Sequence, residues 1–404
     1  MKRSICTLLA CLLLLGCGCS GPMGGAGEEK QLAEIGEWME YTSYQLETWL
    51  RPFWNTREVY NETVLFVGEE DAAPLLYKPS EVVSVRDYGL QIEYVYGKDY
   101  TLTEDGKIQR IAGSSIPYFT VDEYYRTEPD SVPVAIFGDA SGYEFKENRY
   151  IKYGEGNTFT SKQIAVTYTH DSPWNGSVPA GKSERVQAFL QKLQNKEKTT
   201  AVFYGDSITV GCNASGTEYG GNISPYTPSY PELVTAYLTK KYGAEIELIN
   251  TAVGGSNTEW GVQNVQERVI AYRPDLVVIA FGMNDSSLPI AEYKEKIAEM
   301  VNQIHRAEPD CSIVLVATSV PNNETEWFYG NQKQYIAGLR EMEEDTAYPF
   351  VAVADMTTFH LDLLDAGKRF RDMTGNNINH PNDFLVRAYA QIILKTMLGD
   401  NFTV

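Results

Sequence analysis

The chain has 404 residues, 43% of them hydrophobic, which supplies enough apolar surface for real cores, excludes disorder throughout, and leaves room for two domains. Asp and Glu number 54 against 34 Lys and Arg, and the resulting net charge of −20 repels nucleic-acid phosphates and anionic headgroups, so neither is an expected partner. Neutral or cationic partners are favoured, and 27 Tyr, 15 Phe and 6 Trp supply rings that suit both β-rich cores and the apolar faces of sugars.

Lys2 and Arg3 precede an apolar run over 5–15 that is too short to span a bilayer, the pattern of a signal peptide. The run ends in Leu14-Leu15-Gly16-Cys17, which resembles the bacterial lipobox; the resemblance implies cleavage before Cys17 and a lipid on that residue. An ordinary cleaved signal peptide and an uncleaved anchor are the alternatives. Cys19 fits less well, because Gly16 would stand where an aliphatic residue is wanted. The expectation is an extracytoplasmic, cell-surface lipoprotein that meets the membrane only through this lipid, with the Gly-rich 18–27 as a tether. In the body of the chain, past the tether, only Cys212 and Cys311 remain, too few for a disulfide framework; pairing and free burial both stay open.

Residues 28–52 are helix-compatible, with Leu32, Ile35, Trp38, Met39 and Leu46 at mixed helical spacing. From residue 59 the texture changes to short β-branched or aromatic runs over 59–67, 82–85, 90–96, 100–103, 107–111, 132–136 and 163–168, separated by turn formers such as Gly97-Lys98-Asp99. This predicts a jelly-roll-like β-sandwich over 28–181, following a signal and tether over 1–27 and closed by the Pro- and Gly-rich 171–181. From 182 to 404 strands and helices alternate. Strands are predicted over 201–204, 245–250, 276–281, 312–318 and 350–355, and helices over 183–194, 230–241, 262–272, 291–306, 332–343 and 384–397. Near-continuous apolar strands separated by helices predict a doubly wound parallel sheet, α/β/α, with its chemistry at the carboxyl ends of the strands.

Three of those strand ends carry reactive or ligand-facing residue types. The first empties into Gly205-Asp206-Ser207, placing a serine at the sheet edge in a setting that is not the G-x-S-x-G elbow. The second is followed by Gly254-Gly255-Ser256-Asn257, where glycine lets backbone approach a ligand; a plain turn explains it equally well. The third delivers Gly282-Met283-Asn284-Asp285, and Asn284 can aim its amide at a developing negative oxygen or close an Asx-turn. A general base is then required, and there are four histidines. His170 falls in the β-rich region or linker, His305 late in a helix, and His360 in a strand-to-helix connection, which leaves His380 before the last helix.

Order and texture together resemble the SGNH/GDSL hydrolase superfamily over roughly 198–398, with Gly205-Asp206-Ser207, Gly255, Gly282-Met283-Asn284-Asp285 and His380 as its four blocks. The resemblance implies a flavodoxin-like α/β/α fold, Ser207 as nucleophile, His380 as base, and an oxyanion hole from the Ser207 and Gly255 N–H groups and the Asn284 side chain. No metal is expected, because neither His/Cys clusters nor carboxylate ligand motifs appear near these residues, and no cofactor is expected. One departure stands out: the family usually has Asp three residues before the histidine, and here that position is Asn377. Asn377 or a backbone carbonyl is the first candidate to orient the ring, with Asp383 and Asp372 as others; a neutral acceptor stabilises imidazolium less than a carboxylate does.

A β-rich region ahead of such a domain resembles carbohydrate esterases that remove acetyl groups from plant polysaccharides, which implies an acetylated polysaccharide or other ester as substrate. Asp206, Trp260 and Trp327 are the candidates to touch it, with packing as the alternative role for the two indoles. The rival readings are a lipid, aryl or cell-envelope esterase, and a polysaccharide-binding surface lipoprotein without catalysis.

Overall fold

Residues 41–126, 141–146, 149–325 and 328–404 are described by a computed structural model. The first part of the chain contributes helix α1 (Leu46–Leu50), strands β1 (Glu58–Leu65), β2 (Ala72–Ala73), β3 (Glu81–Asp87), β4 (Tyr100–Leu102) and β5 (Ile108–Arg110), helix α2 (Val121–Tyr124), and strands β6 (Tyr125–Arg126), β7 (Ser141–Lys146), β8 (Arg149–Gly154) and β9 (Gln163–Thr169). The second part contributes α3 (Gln187–Gln194), β10 (Thr199–Gly205), α4 (Ser207–Val210), α5 (Tyr230–Tyr242), β11 (Ile246–Asn250), α6 (Thr258–Arg268), β12 (Leu276–Ala280) and α7 (Ile290–Ala307). It continues with β13 (Ser312–Ala317), α8 (Tyr335–Glu344), β14 (Val351–Asp355), α9 (Met356–Asp365) and α10 (Asp383–Leu398).

Strands β10 to β14 form one parallel sheet in the order β11-β10-β12-β13-β14. The chain starts at β10, steps outward to β11, then crosses to β12, so the order reverses beside β10 and opens a crevice at its carboxyl end. Successive side chains of β10 enter different cores: Val202 and Tyr204 pack with residues of α6, α7 and α8, whereas Ala201 and Phe203 pack with residues of α3, α5 and α10. Strands β12 and β13 are buried at every position because helices cover both faces, which is why they read as unbroken apolar runs.

The front of the chain is antiparallel, as predicted, and is arranged as three three-stranded sheets, β1-β9-β3, β2-β5-β4 and β6-β8-β7. Its apolar side is continuous with the core of the parallel sheet, since Leu50, Phe53, Val64, Phe66 and Tyr168 belong to the same cluster as Phe359, Phe384 and Ile392. Every residue of β1 is buried, Glu62 among them, and the Glu62 carboxylate lies 2.7 Å from the Lys368 ammonium with both side chains wholly excluded from solvent. Helix α10 runs between the two parts: Arg387 donates to the Tyr60 and Asn61 carbonyls, and Gln391 donates to those of Trp49 and Arg51.

Several elements differ from expectation. The predicted strand over 90–96 is a loop, because Asp87 Oδ1 accepts the Gln91 and Ile92 N–H groups and turns the chain back. Within 28–52 the described residues are helical only over Leu46–Leu50, ahead of helix-breaking Pro52. Strands β6, β7 and β8 were not foreseen, while 132–136 lies outside the described residues. The expected connection around His360 is helix α9, capped by the Asp355 side chain, and His360 is buried inside it. Cys212 and Cys311 are free thiols.

Candidate active site

Ser207 is the first residue of α4, immediately beyond β10, and Asp206 caps that helix by accepting the Ile208 N–H at 3.0 Å. The turn requires glycine at 205, where a Cβ would lie 2.4 Å from the Ala280 carbonyl oxygen and 2.4 Å from Thr209 Oγ1. The loop after β11 sits against this turn: Val253 N–H and Ser256 Oγ both donate to the Gly205 carbonyl, at 3.0 Å each. A Cβ placed on Gly254 would be 3.9 Å from Ser207 Cβ, and Gly254 and Gly255 are both exposed, so this backbone lies open beside the serine. The loop after β12 is tied in through Asn284, whose Nδ2 donates to the Ser256 carbonyl at 2.9 Å, and through Asp285, which accepts from Thr258 N–H and Oγ1.

His380 is delivered by the 374–382 loop ahead of α10. Asn376 shapes that loop: its Oδ1 accepts the backbone N–H groups of Ile378, Asn379 and His380, each at 3.0 Å. Thr374 Oγ1 adds a 2.9 Å bond to the His380 carbonyl. The imidazole Nε2 lies 2.9 Å from Ser207 Oγ, with Ser207 6% and His380 9% exposed. Residues 173 positions apart thus meet at the carboxyl edge of the sheet.

The far side of the ring differs from the expectation. His380 Nδ1 lies 2.9 Å from Asn213 Oδ1 and 3.1 Å from Glu155 Oε2, neither of which the sequence singled out. Asn377, the first candidate for this place, is turned away in a left-handed conformation, φ 71°; its Oδ1 accepts from Tyr124 and its Nδ2 donates to the Lys152 carbonyl. The other two candidates are also engaged elsewhere, Asp372 with Leu65 N–H and Arg369, and Asp383 with Ser215 and Thr227. Asn213 reaches the ring because residue 375 is glycine: a Cβ there would lie 2.3 Å from Asn213 Cβ.

The electrostatics follow burial. Burial pushes the Asp206 carboxyl up to about 7, against the opposing pull of the Ile208 N–H and the His380 charge. Burial also raises Glu155, but the adjacent His380 charge, together with hydrogen bonds from His380, Asn376 and Tyr153, outweighs it and brings Glu155 down to about 2. Asp206 is 2% exposed and spent on capping, so it holds the nucleophile turn and is not open to substrate. Trp260 packs against Tyr204 and Phe281 under the Arg268 guanidinium. Trp327 and Cys17 lie outside the described residues. Among those residues no cluster of His, Cys, Asp or Glu is disposed to hold a metal ion, and no helix is long and apolar enough to cross a membrane.

Comparison with known proteins gives one family-model match and a set of similar solved structures. The sequence model of the GDSL-like lipase/acylhydrolase family matches residues 203–384. One similar solved structure is a two-domain esterase (CEX) active on acetylated mannans, co-crystallised with mannopentaose, at 22% identity and TM-score 0.43, covering 54% of this chain and 54% of that one. A second is Axe2, an acetylxylan esterase from Geobacillus stearothermophilus, at 20% identity and TM-score 0.39, covering 49% of this chain and 93% of that one. A third is LAE5, an alpha/beta hydrolase enzyme from the metagenome of Lake Arreo, Spain, at 18% identity and TM-score 0.41, covering 51% of this chain and 97% of that one. The chain spans about half the length of the two-domain esterase it matches. No curated protein matches it significantly. The matched stretch carries Ser207, the glycine loop, Asn284 and His380, and over it the chain is similar to the GDSL-like lipase/acylhydrolase family.

Proposed function

We propose that the protein is a serine esterase that removes O-acetyl groups from polysaccharide, and the 2.9 Å contact between Ser207 Oγ and His380 Nε2 is the observation that carries this reading. His380 takes the hydroxyl proton as Oγ bonds to the ester carbonyl carbon. The alcohol then departs with that proton and leaves an acyl-serine. Water repeats the sequence and releases acetate. The Ser207 and Gly255 N–H groups and the Asn284 amide are the donors assigned to the oxyanion, each worth about 2.7–4 kcal/mol in the transition state. The exposed Gly254-Gly255 backbone beside Ser207 and the pinning of Asn284 by Ser256 support that assignment.

The substrate class rests on surface chemistry. A net charge of −20 disfavours polyanionic substrates and tolerates neutral ones. Tyr219 and Tyr226, 59% and 57% exposed on the loop that follows α4, present flat apolar faces of the kind that stack on pyranose rings. That loop borders the site, since a Cβ on Gly221 would lie 3.8 Å from Asn157 Cβ, two residues beyond Glu155. Its place of action, in this reading, is outside the cytoplasm on a lipid carried by Cys17. The test is hydrolysis of 4-nitrophenyl acetate by the unaltered protein and by Ser207→Ala, followed by acetate release from acetylated xylan and mannan set against hydrolysis of long-chain 4-nitrophenyl esters. Equal rates for the two proteins would end the esterase reading. Preference for long acyl chains over acetylated glycan would end the carbohydrate one.

A further inference from the structure

We propose that Glu155 is the carboxylate that orients His380 and offsets its charge during acyl transfer, so that the base's charge partner comes from the antiparallel front of the chain and lies outside the family-matched stretch. The inference rests on the esterase reading above. Glu155 follows directly on β8, 48 residues before the match begins at 203 on the numbering of the chain.

A general base needs a lone pair on the nitrogen that faces Ser207, so the proton of neutral His380 must sit on Nδ1. Both atoms facing Nδ1 are acceptors. Asn213 presents Oδ1, because its Nδ2 is committed to the Gly156 carbonyl at 3.0 Å, and Glu155 presents Oε2. The tautomer is therefore imposed from two sides.

Of the two acceptors only Glu155 bears charge. When His380 takes the serine proton, an anion 3.1 Å away stabilises the imidazolium, and a neutral amide oxygen does so less. Its carboxylate is held in place: Oε1 accepts from Tyr153 Oη at 2.7 Å and from Asn376 Nδ2 at 3.0 Å. Asn376 is also the residue that gathers the backbone N–H groups of the histidine loop, so carboxylate and imidazole are positioned by one shared side chain. The backbone is fixed as well, with Thr158 Oγ1 donating to the Glu155 carbonyl at 2.9 Å. Two other titratable groups feel this pair: Asp206, which interacts with His380, and Cys212, whose thiol burial pushes up to about 12 with a further rise from the Glu155 and Asp206 charges. Glu155 thus fills the role that the family's aspartate would have had at 377, where this chain has an asparagine facing elsewhere.

The experiment uses the whole protein with Glu155→Gln, Glu155→Asp and Ser207→Ala. On 4-nitrophenyl acetate, Glu155→Gln is expected to lower kcat by about 10²–10⁴-fold, by analogy with loss of the charged partner in a serine protease triad. KM is expected to stay within about three-fold, because the carboxylate acts on the transition state. The acid limb of the pH–rate profile moves to lower pH, since an imidazolium without its anion loses its proton more readily. Glu155→Asp restores part of the rate. A Glu155→Gln enzyme with unchanged kcat and an unmoved acid limb overturns the proposal, as does a loss of kcat with the limb in place, which would mark mere structural damage. The low-field proton resonance of His380 Nδ1–H supplies a readout that needs no turnover: it shifts upfield in Glu155→Gln, and a resonance that does not move overturns the assignment. Absence of Ser207-dependent turnover in the unaltered protein would instead sink the esterase reading, leaving the resonance to judge the pairing.

Discussion

Lys368→Met is expected to cost about 3–5 kcal/mol of stability, because it strands a buried carboxylate. In the folded protein Lys368 Nζ lies 2.7 Å from Glu62 Oε1 and donates to the Thr63 carbonyl at 2.8 Å. Without the ammonium, Glu62 retains the Leu76 N–H at 2.9 Å and the Tyr168 hydroxyl at 2.6 Å, two neutral donors for a full charge shut off from water. The double variant Glu62→Gln/Lys368→Met removes that charge, keeps an amide oxygen to accept, and is expected to fall within about 2 kcal/mol of the parent. Urea unfolding followed by tryptophan fluorescence measures all four corners of the cycle, Glu62→Gln included. A single Lys368→Met variant within about 1 kcal/mol of the parent would refute the reasoning, and so would a double variant as unstable as the single one.

Three further outcomes follow from the site. Asp206→Asn keeps a capping oxygen but removes a carboxyl whose folded-state pKa is raised to about 7. A raised acid pKa penalises the fold where the group is ionised, so the penalty is absent below about pH 4, grows toward pH 7 and is complete above it. The variant should therefore gain up to about 4 kcal/mol on the parent at pH 8 and nothing at pH 4, and a gap independent of pH between those limits would contradict the cause given. Gly375→Ala forces Asn213 and the histidine loop apart, and kcat/KM on 4-nitrophenyl acetate should fall by about 10²-fold with the circular dichroism spectrum retained; activity within three-fold of the parent counts against the close packing. Asn377→Asp should not raise the rate or move the pH profile, while loss of its donation to the Lys152 carbonyl costs about 1–3 kcal/mol in the same urea assay. A faster enzyme would show that position 377 does reach the ring.

The parallel sheet was legible because its inner strands, β10, β12 and β13, are buried on both faces and appear as apolar runs, with Ser207 and Asn284 following the ends of β10 and β12. Ser207, Asn284 and His380 come from such ends or from the loop before the last helix, and the fold gathers them at one rim. The partners of the imidazole were not legible. Glu155 stands 225 positions from His380 in a glycine-flanked turn, where a lone glutamate looks like any solvated residue. The one available signal was the strand-like run Tyr150-Ile151-Lys152-Tyr153 just ahead of it, which places a turn at the end of β8. Asn377 has the right spacing from the histidine, yet spacing fixes sequence distance and not direction; its left-handed backbone aims the side chain at Tyr124. Buried polar contacts between front strands and the histidine loop, such as Thr63 with the Asp372 carbonyl and Gln163 with that of Thr374, carry no local pattern at all.

The last helix bears on how such a protein can change. Every residue of α10 except Lys395 is buried, so it has no stripe left over for water. A surface helix can lose a neighbour and stay soluble, whereas this one cannot. Gene fusion or shuffling that exchanged the front strands for a different module would have to bring a new cover for α10 and a new anion for the imidazole in the same event. The front strands and α10 accordingly have to change together.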